Sequence, residues 1–334
     1  MKIQKKKKII ITKKKRFPIL LYVAIGIAVV CFVLGFLIFL NYEKTAKDSM
    51  YVFPENPKQG DTVFIRVKSN ADYVTGNFEK ERLIFYKKGN STEWISFLGI
   101  DADQEPGDYQ IYVDTFKKEK LTEKIKAVLA DFSVAPTTEA PNLEQKGYTK
   151  EKAVNNIVKN DNVVLNKFLS NFTPKPYFKD SFVFPLKKIE KTGLSFGKFI
   201  TFAKYKMQHL GVDLRASEKT NIYAINDGQV VAVVNLSNYG KTVIIDHGLD
   251  IFSLYLHLDE FKVSEGQMVK RSQIIGLSGN SGYSTAPHLH FSMRVGGARV
   301  DPIVFIKTTK KLEDNFLLAD ISEAFLNILK QFEK

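Results

Sequence analysis

Two short patterns, His209-Leu210-Gly211-Val212-Asp213 and His288-Leu289-His290, hold the residue types that a zinc site needs. All five histidines of the chain, His209, His247, His257, His288 and His290, lie between positions 209 and 290. Imidazole is the commonest protein metal ligand and titrates nearest neutral pH. A catalytic zinc takes three ligands from His, Asp or Glu and keeps a fourth position for water. Five histidines and an aspartate exceed that need, so some of them do other work. On a strand, His288 and His290 project from one side while Leu289 faces the core. By the same alternation Tyr255 and His257 share a face opposite Leu254, Leu256 and Leu258.

The elements that must hold these side chains read as strands. Between Ser195 and Asp301 the apolar residues alternate over 222–225, 229–235, 242–246, 252–257, 273–277 and 289–295, with glycines at the turns between them. An antiparallel β domain follows. Upstream, residues 51–134 give shorter runs of the same kind at 62–67, 82–86, 94–99 and 108–114, the spacing of a small antiparallel sandwich. The stretch 135–148 has the composition of a linker. Val154, Ile157, Val158, Leu165, Phe168 and Leu169 then follow at helical spacing, which predicts a helix over 149–169. Asp320–Phe332 shows the apolar face of an amphipathic helix. His247 at a glycine turn is read as structural or as supporting a ligand. Tyr255 is read as packing, and Asp246 and Asp259 as solvated or turn residues.

The chain has 334 residues and a net charge of +13, but residues 1–16 hold nine Lys or Arg and no acid. Setting those nine aside leaves +4 for the rest, so the basicity is mostly a tail and argues against a nucleic-acid partner. The tail leads into Ile19–Leu40, twenty-two residues without a charge. A helix of that length crosses a hydrocarbon core of about 30 Å. The stretch is too long for a cleaved leader and lacks small residues at its end. Positive residues on its N-terminal flank place residues 1–18 in the cytoplasm and the bulk of the chain across the membrane. Cys31 is the one cysteine, so the exported part forms no internal disulfide.

Taken together, the motifs resemble the lysostaphin-type (LytM-type) zinc endopeptidases of bacterial cell walls. H-x-x-x-D is met by His209 and Asp213, and H-x-H by His288 and His290. Around them Ala224-Ile225-Asn226-Asp227-Gly228, Ile245-Asp246-His247-Gly248, Tyr255-Leu256-His257-Leu258, Ile275-Gly276-Leu277-Ser278-Gly279-Asn280-Ser281-Gly282 and Asp301-Pro302 fall in the family's order. The resemblance covers about 110 residues. Ala286 stands where the family has glycine, and Lys198-Phe199 replaces an arginine-containing sequence. Residues 51–135 also resemble the immunoglobulin-like domain that precedes the peptidase in some exported members, through Gln59-Gly60-Asp61-Thr62, Leu98-Gly99-Ile100-Asp101 and Pro106-Gly107-Asp108-Tyr109.

The resemblance implies one zinc ion on His209, Asp213 and His290, with His257 and His288 as an unligated catalytic pair, one of them the proton acceptor for the attacking zinc-bound water. It implies a metalloendopeptidase acting on the cross-links or stems of peptidoglycan, either at a glycine bridge or at a bond involving a D-amino acid. The alternative is a catalytically silent wall-binding regulator that activates another hydrolase; such relatives lack ligands. The expected architecture is mainly β: a cytoplasmic tail 1–18, a transmembrane helix 19–40, a stalk 41–50, an immunoglobulin-like domain 51–135 and a helical linker 136–184. A LytM-type antiparallel β peptidase domain 185–306 and a C-terminal amphipathic helix 307–334 complete it. The expected partners are peptidoglycan peptide, the cytoplasmic membrane and other cell-envelope proteins, with no nucleic acid.

Overall fold

The computed structural model describes residues 22, 25–35 and 47–312, apart from 88, 90, 118–119, 136–140, 172, 190–194 and 203–204. The chain divides into two compact units, 1–47 and 48–334. In the first, residues 25–35 are helical. Among the described residues no helix is long and apolar enough to cross a membrane, so the transmembrane helix expected over 19–40 is not supported by them. The rest of 19–40, the basic tail and the amphipathic stretch 320–332 lie outside the described residues.

The second unit is mainly β. Its first eight strands are β1 (Ser49–Phe53), β2 (Thr62–Lys68), β3 (Thr75–Phe78), β4 (Glu81–Leu83), β5 (Tyr86–Lys87), β6 (Glu93–Gly99), β7 (Gly107–Asp114) and β8 (Leu121–Ala127). They form two four-stranded sheets, β1-β2-β6-β5 and β4-β3-β7-β8. Alternate residues such as Val63, Ile65, Val67, Ile111, Val113 and Ile125 fill one core between them, as period-two patterning requires of a sandwich.

A three-stranded sheet follows, in which β10 (Phe199–Phe202) pairs with β9 (Val134–Ala135) and β11 (Tyr205–Gln208). The remaining strands are β12 (Val212–Arg215), β13 (Asn221–Tyr223), β14 (Gly228–Leu236), β15 (Gly240–Asp246), β16 (Ile251–Phe261), β17 (Met268–Val269), β18 (Ile274–Ser278), β19 (His288–Val295) and β20 (Ala298–Val300). They make a nine-stranded sheet whose main path is β12-β19-β16-β15-β14-β17. Leu214, Tyr255, Leu289, Phe291 and Met293 pack into the core on one face. Phe252, Leu254, Leu256, Ala232 and Ile244 belong to a separate cluster on the other, closed by Leu165. A helix at 302–312 ends the described chain.

Leu165 comes from the segment read as a linker. That segment folds as α1 (Pro141–Gln145), α2 (Lys150–Asn156), a π-helical turn (Ile157–Asp161) and α3 (Asn162–Leu169). The π turn adds a residue to the helical repeat, so the apolar face read from sequence does not continue through it. Val158, expected on the buried face, is 60% exposed, and Asp161 is 2% exposed instead.

The sandwich is fastened to the peptidase-like sheet through the loop after β6. The Arg299 guanidinium straddles Asp101, with Nε 2.9 Å from Oδ2, and also reaches Asp103 at 2.6 Å. Burial alone would raise the Asp101 carboxyl, but Arg299 outweighs it and holds it at about 2 rather than 3.8. A carboxyl depressed by folding contributes stability that is complete above its unfolded value and lost as pH falls through its folded value. The window is therefore from about pH 4 down to about pH 2. Because the pair is partly solvated, Arg299→Ala is expected to cost about 1 kcal/mol at neutral pH. That is roughly 2 °C in melting temperature. Melts of the two proteins should converge as pH drops through that window, and a gap that persists at pH 2 would contradict the assignment.

Candidate metal centre

The candidate metal-site residues sit where three strands meet. Asp213 on β12 lies opposite His290 on β19, and Arg215 opposite His288. Leu256 on β16 lies opposite His290 from the other side. Leu289 is fully buried in the core, so His288 and His290 turn to the opposite face, as alternation dictates. His209 enters from the turn just before β12. Its Nε2 lies 3.1 Å from Asp213 Oδ1 and 3.0 Å from His290 Nδ1, and the last edge, His290 Nδ1 to Asp213 Oδ1, is 2.9 Å. Zinc with ligand bonds of about 2.0–2.1 Å spaces neighbouring tetrahedral corners by about 3.3 Å. The three atoms thus make one near-equilateral face of the right size, and this donor set fits zinc.

Hydrogen bonds behind the ligands decide which nitrogen is offered. His209 Nδ1 is 3.2 Å from the Ser195 carbonyl, which can only accept, so Nδ1 carries the hydrogen and Nε2 presents its lone pair. His290 shows the reverse arrangement. Its Nε2 donates to Ser292 Oγ at 3.0 Å, Ser292 in turn donates to the Leu210 carbonyl, and Nδ1 is left for the metal. Partners of this kind fix ring orientation and tautomer. Sequence reading did not single out Ser292, although period two on β19 puts it on the same face as His290. Ser195 acts through its backbone and leaves no side-chain signal. Gly211 is required at its position: a Cβ there would lie 2.5 Å from His290 Nε2 and would also meet Ser292 Oγ.

The second pair of imidazoles closes one side of this triangle. The His257 ring centroid is 5.0 Å from that of His288 and 5.9 Å from that of His290. His257 Nδ1 donates to the Ser281 carbonyl at 2.8 Å, and His288 Nδ1 donates to the Ala286 carbonyl at 2.8 Å. In the neutral form each ring therefore carries its hydrogen on Nδ1 and its lone pair on Nε2, and His288 Nε2 lies 3.5 Å from Asp213 Oδ1. Burial, followed by the neighbouring His288 and His290, pushes His257 down to about 3, so it is neutral at working pH. Burial opposes protonation of His288 too, but the Asp213 carboxylate and the Ala286 carbonyl outweigh it and raise its pKa. At Asp213 burial works toward protonation, and the surrounding side chains of His209, His288 and His290 outweigh it, holding the carboxyl well below its usual range.

Simple alternation misplaces His257. A regular strand would turn it to the Tyr255 side, into the core and away from the metal face. Instead His257 has φ of +60°, and β16 changes partner there, pairing with β19 up to Leu256 and with β18 from Leu258 onward. Leu258 consequently packs in the same core cluster as Tyr255 and not with Leu254 and Leu256. The irregular residue swings the imidazole round to face His288 and His290. A non-glycine residue in this conformation is unfavourable by about 1–3 kcal/mol, and such strain collects at functional sites.

The other histidine takes no part. His247 is fully buried, with Nδ1 2.8 Å from the Asp227 carbonyl and Nε2 2.8 Å from Ser253 Oγ, and burial pushes it down to about 4. Tyr255 is also core, its hydroxyl accepting from the Ile225 amide. Asp246 is a turn residue, accepting from the Gly248 amide, but not a solvated one: it is 2% exposed and also accepts from the amide and hydroxyl of Thr173. It ties the end of the linker to the sheet.

Comparisons with known proteins agree with this geometry. The model of Peptidase family M23 matches residues 207–302, which include all five site residues. Over 93 residues the chain is 43% identical to the peptidoglycan DD-endopeptidase ShyA of Vibrio cholerae, covering 28% of this chain and 22% of that protein. It is 32% identical to the catalytic domain of the antimicrobial peptidase lysostaphin from Staphylococcus simulans, covering 34% of this chain and 90% of that domain, with a TM-score of 0.32. A solved Pseudomonas aeruginosa structure assigned to peptidase M23 matches with a TM-score of 0.53 at 21% identity, over 75% of this chain and 95% of that one, a likeness of fold. The chain spans only about a fifth to a quarter of the length of the first curated relatives it matches. Residues 207–302, which hold the His-Asp-His triangle and both companion histidines, are a Peptidase family M23 domain.

Proposed function

We propose that this chain is a membrane-anchored zinc metalloendopeptidase that hydrolyses peptide bonds in the cross-links or stems of peptidoglycan, outside the cytoplasmic membrane. The observation that carries the reading is the complete triangle of His209, Asp213 and His290 beside two further imidazoles whose Nδ1 atoms are engaged by backbone carbonyls. A zinc ion held there would supply Lewis acidity, lowering the pKa of a coordinated water to about 7 and polarising the scissile carbonyl.

The chain's own residues do the rest. His209, Asp213 and His290 bind the ion, and Ser195 and Ser292 keep the two ligand rings in the correct tautomer. His257 and His288 stand where one accepts the water's proton and the other donates a hydrogen bond to the developing oxyanion. The low pKa of His257 keeps it unprotonated, and the raised pKa of His288 suits a donor. The peptidoglycan substrate rests on the relatives whose names state it, and the anchoring on the uncharged run 19–40 behind its basic flank. The silent-regulator reading needs a missing ligand, and none is missing among these residues.

The full chain incubated with purified cell wall should release peptide termini, stop when a chelator strips the metal and recover on adding zinc. Inactivity in both conditions, with no zinc in the purified chain, would sink the enzymatic reading. Mass analysis of the products names the bond. A reporter fused after Lys334 should be active only outside the cytoplasm; activity inside would refute the topology.

A further inference from the structure

Both backbone carbonyls that hold His257 belong to loops gripped by the linker. The amide of His257 donates to the Tyr239 carbonyl at 3.0 Å, and its Nδ1 donates to the Ser281 carbonyl at 2.8 Å. Tyr239 lies in the turn between β14 and β15. The buried Asp161 carboxylate accepts from all three amides of that turn, Ser237 at 3.2 Å, Asn238 at 2.7 Å and Tyr239 at 3.4 Å. Ser281 lies in the loop between β18 and β19. Lys146 Nζ donates to two carbonyls of that loop, Asn280 and Ser284, each at 2.9 Å. Tyr148 bridges both loops, its hydroxyl on the Ser237 carbonyl and its ring edge-on to Tyr283. The loops are also joined directly, Tyr283 amide to Asn238 carbonyl at 2.7 Å.

We infer that the strap 141–169 is part of the peptidase site, with Asp161 and Lys146 as positioning residues that set the orientation and tautomer of His257. This rests on the reading of His257 as a catalytic base or hydrogen-bond donor. The π turn is what aims Asp161 inward, since the residues before it, Val158 to Asn160, are all exposed. A carboxylate collecting three amides is a strong, charge-assisted anchor. His257 has an unfavourable backbone conformation, and such a residue keeps it only while its surroundings over-determine it. The strap supplies that determination from outside the sheet. Displacement of a catalytic group by as little as about 1 Å can cost roughly 100-fold in rate.

The test compares the full chain with Asp161→Asn, Lys146→Met and the conservative Lys146→Arg. Turnover and KM are measured on a purified cross-linked muropeptide, zinc content by metal analysis, and the His257 tautomer by nitrogen-15 resonance of histidine-labelled, metal-free protein. Asp161→Asn and Lys146→Met should lower kcat by about ten- to a hundredfold, leave KM and zinc content within about twofold, and convert His257 from the Nδ1–H form to a tautomer mixture. Lys146→Arg should behave as the parent. An unchanged kcat, or an unchanged His257 resonance, in both variants overturns the inference. Should Asp161→Asn unfold, the exposed Lys146 still decides the matter. Should the parent fail to cleave the muropeptide, the endopeptidase reading falls, while the resonance of His257 continues to test the strap.

Discussion

The full chain carrying His290→Ala is expected to purify without stoichiometric zinc and to digest cell wall no faster than buffer. His290 supplies one vertex of the ligand triangle, and its removal leaves a carboxylate and one imidazole. Loss of a mere outer partner of a ligand costs about 10–100-fold in metal affinity, and loss of the ligand itself costs more. Deleting the ring also strands Ser292, whose hydroxyl bridges His290 Nε2 and the Leu210 carbonyl next to Gly211. The β12–β19 pairing that carries Asp213 is backbone-borne, so the fold is expected to survive. Metal analysis and far-ultraviolet circular dichroism on the same sample check both halves. Full zinc occupancy in a folded His290→Ala chain would remove His290 from the ligand set.

His257→Ala should behave differently: zinc retained, turnover reduced by about 10²–10⁴, the usual contribution of a positioned general acid or base. No ligand atom depends on His257. Its Nδ1 bonds only to the Ser281 carbonyl, and its ring meets His290 edge to face without a hydrogen bond. The substitution also empties part of a buried pocket against His288, so a lower melting temperature should accompany the loss. The decisive readout is the ratio of effects. Zinc loss equal to that of His290→Ala would move His257 into the ligand set; unchanged turnover would take it out of the reaction.

How far the sequence could go is clearest in these same residues. Strand existence in the nine-stranded sheet was legible because alternation is local: 229–235 became β14, 242–246 part of β15 and 289–295 nearly all of β19. Strands of three or four residues, such as β12 and β20, are too short for alternation to stand out and form because longer neighbours offer them hydrogen bonds. The helix over 149–169 was legible as a helix, but not its π turn. That turn makes one helix serve two demands, Leu165 on the sheet and Asp161 on the 237–239 amides, and neither demand is visible within a window of helix residues. The burial of Asp246, though not its place at a turn, was hidden for a related reason: an aspartate beside a glycine turn looks solvated until Thr173, 73 residues away in the chain, is folded against it.

The sequence by itself offered the candidate metal-site residues, since residue type and strand period put His209, Asp213, His288 and His290 forward, and the family resemblance then implied His209, Asp213 and His290 as the ligands. It also set the two-layer sandwich, the peptidase-like sheet and the family. Only the tertiary structure decided which nitrogen each ring presents, because that depends on distant carbonyl and hydroxyl partners. The same holds for the turning of His257 toward the metal face, which needs a left-handed residue at the point where β16 changes partner. The linker's place against the site is likewise tertiary, for the amides it grips come from loops more than seventy residues further along the chain.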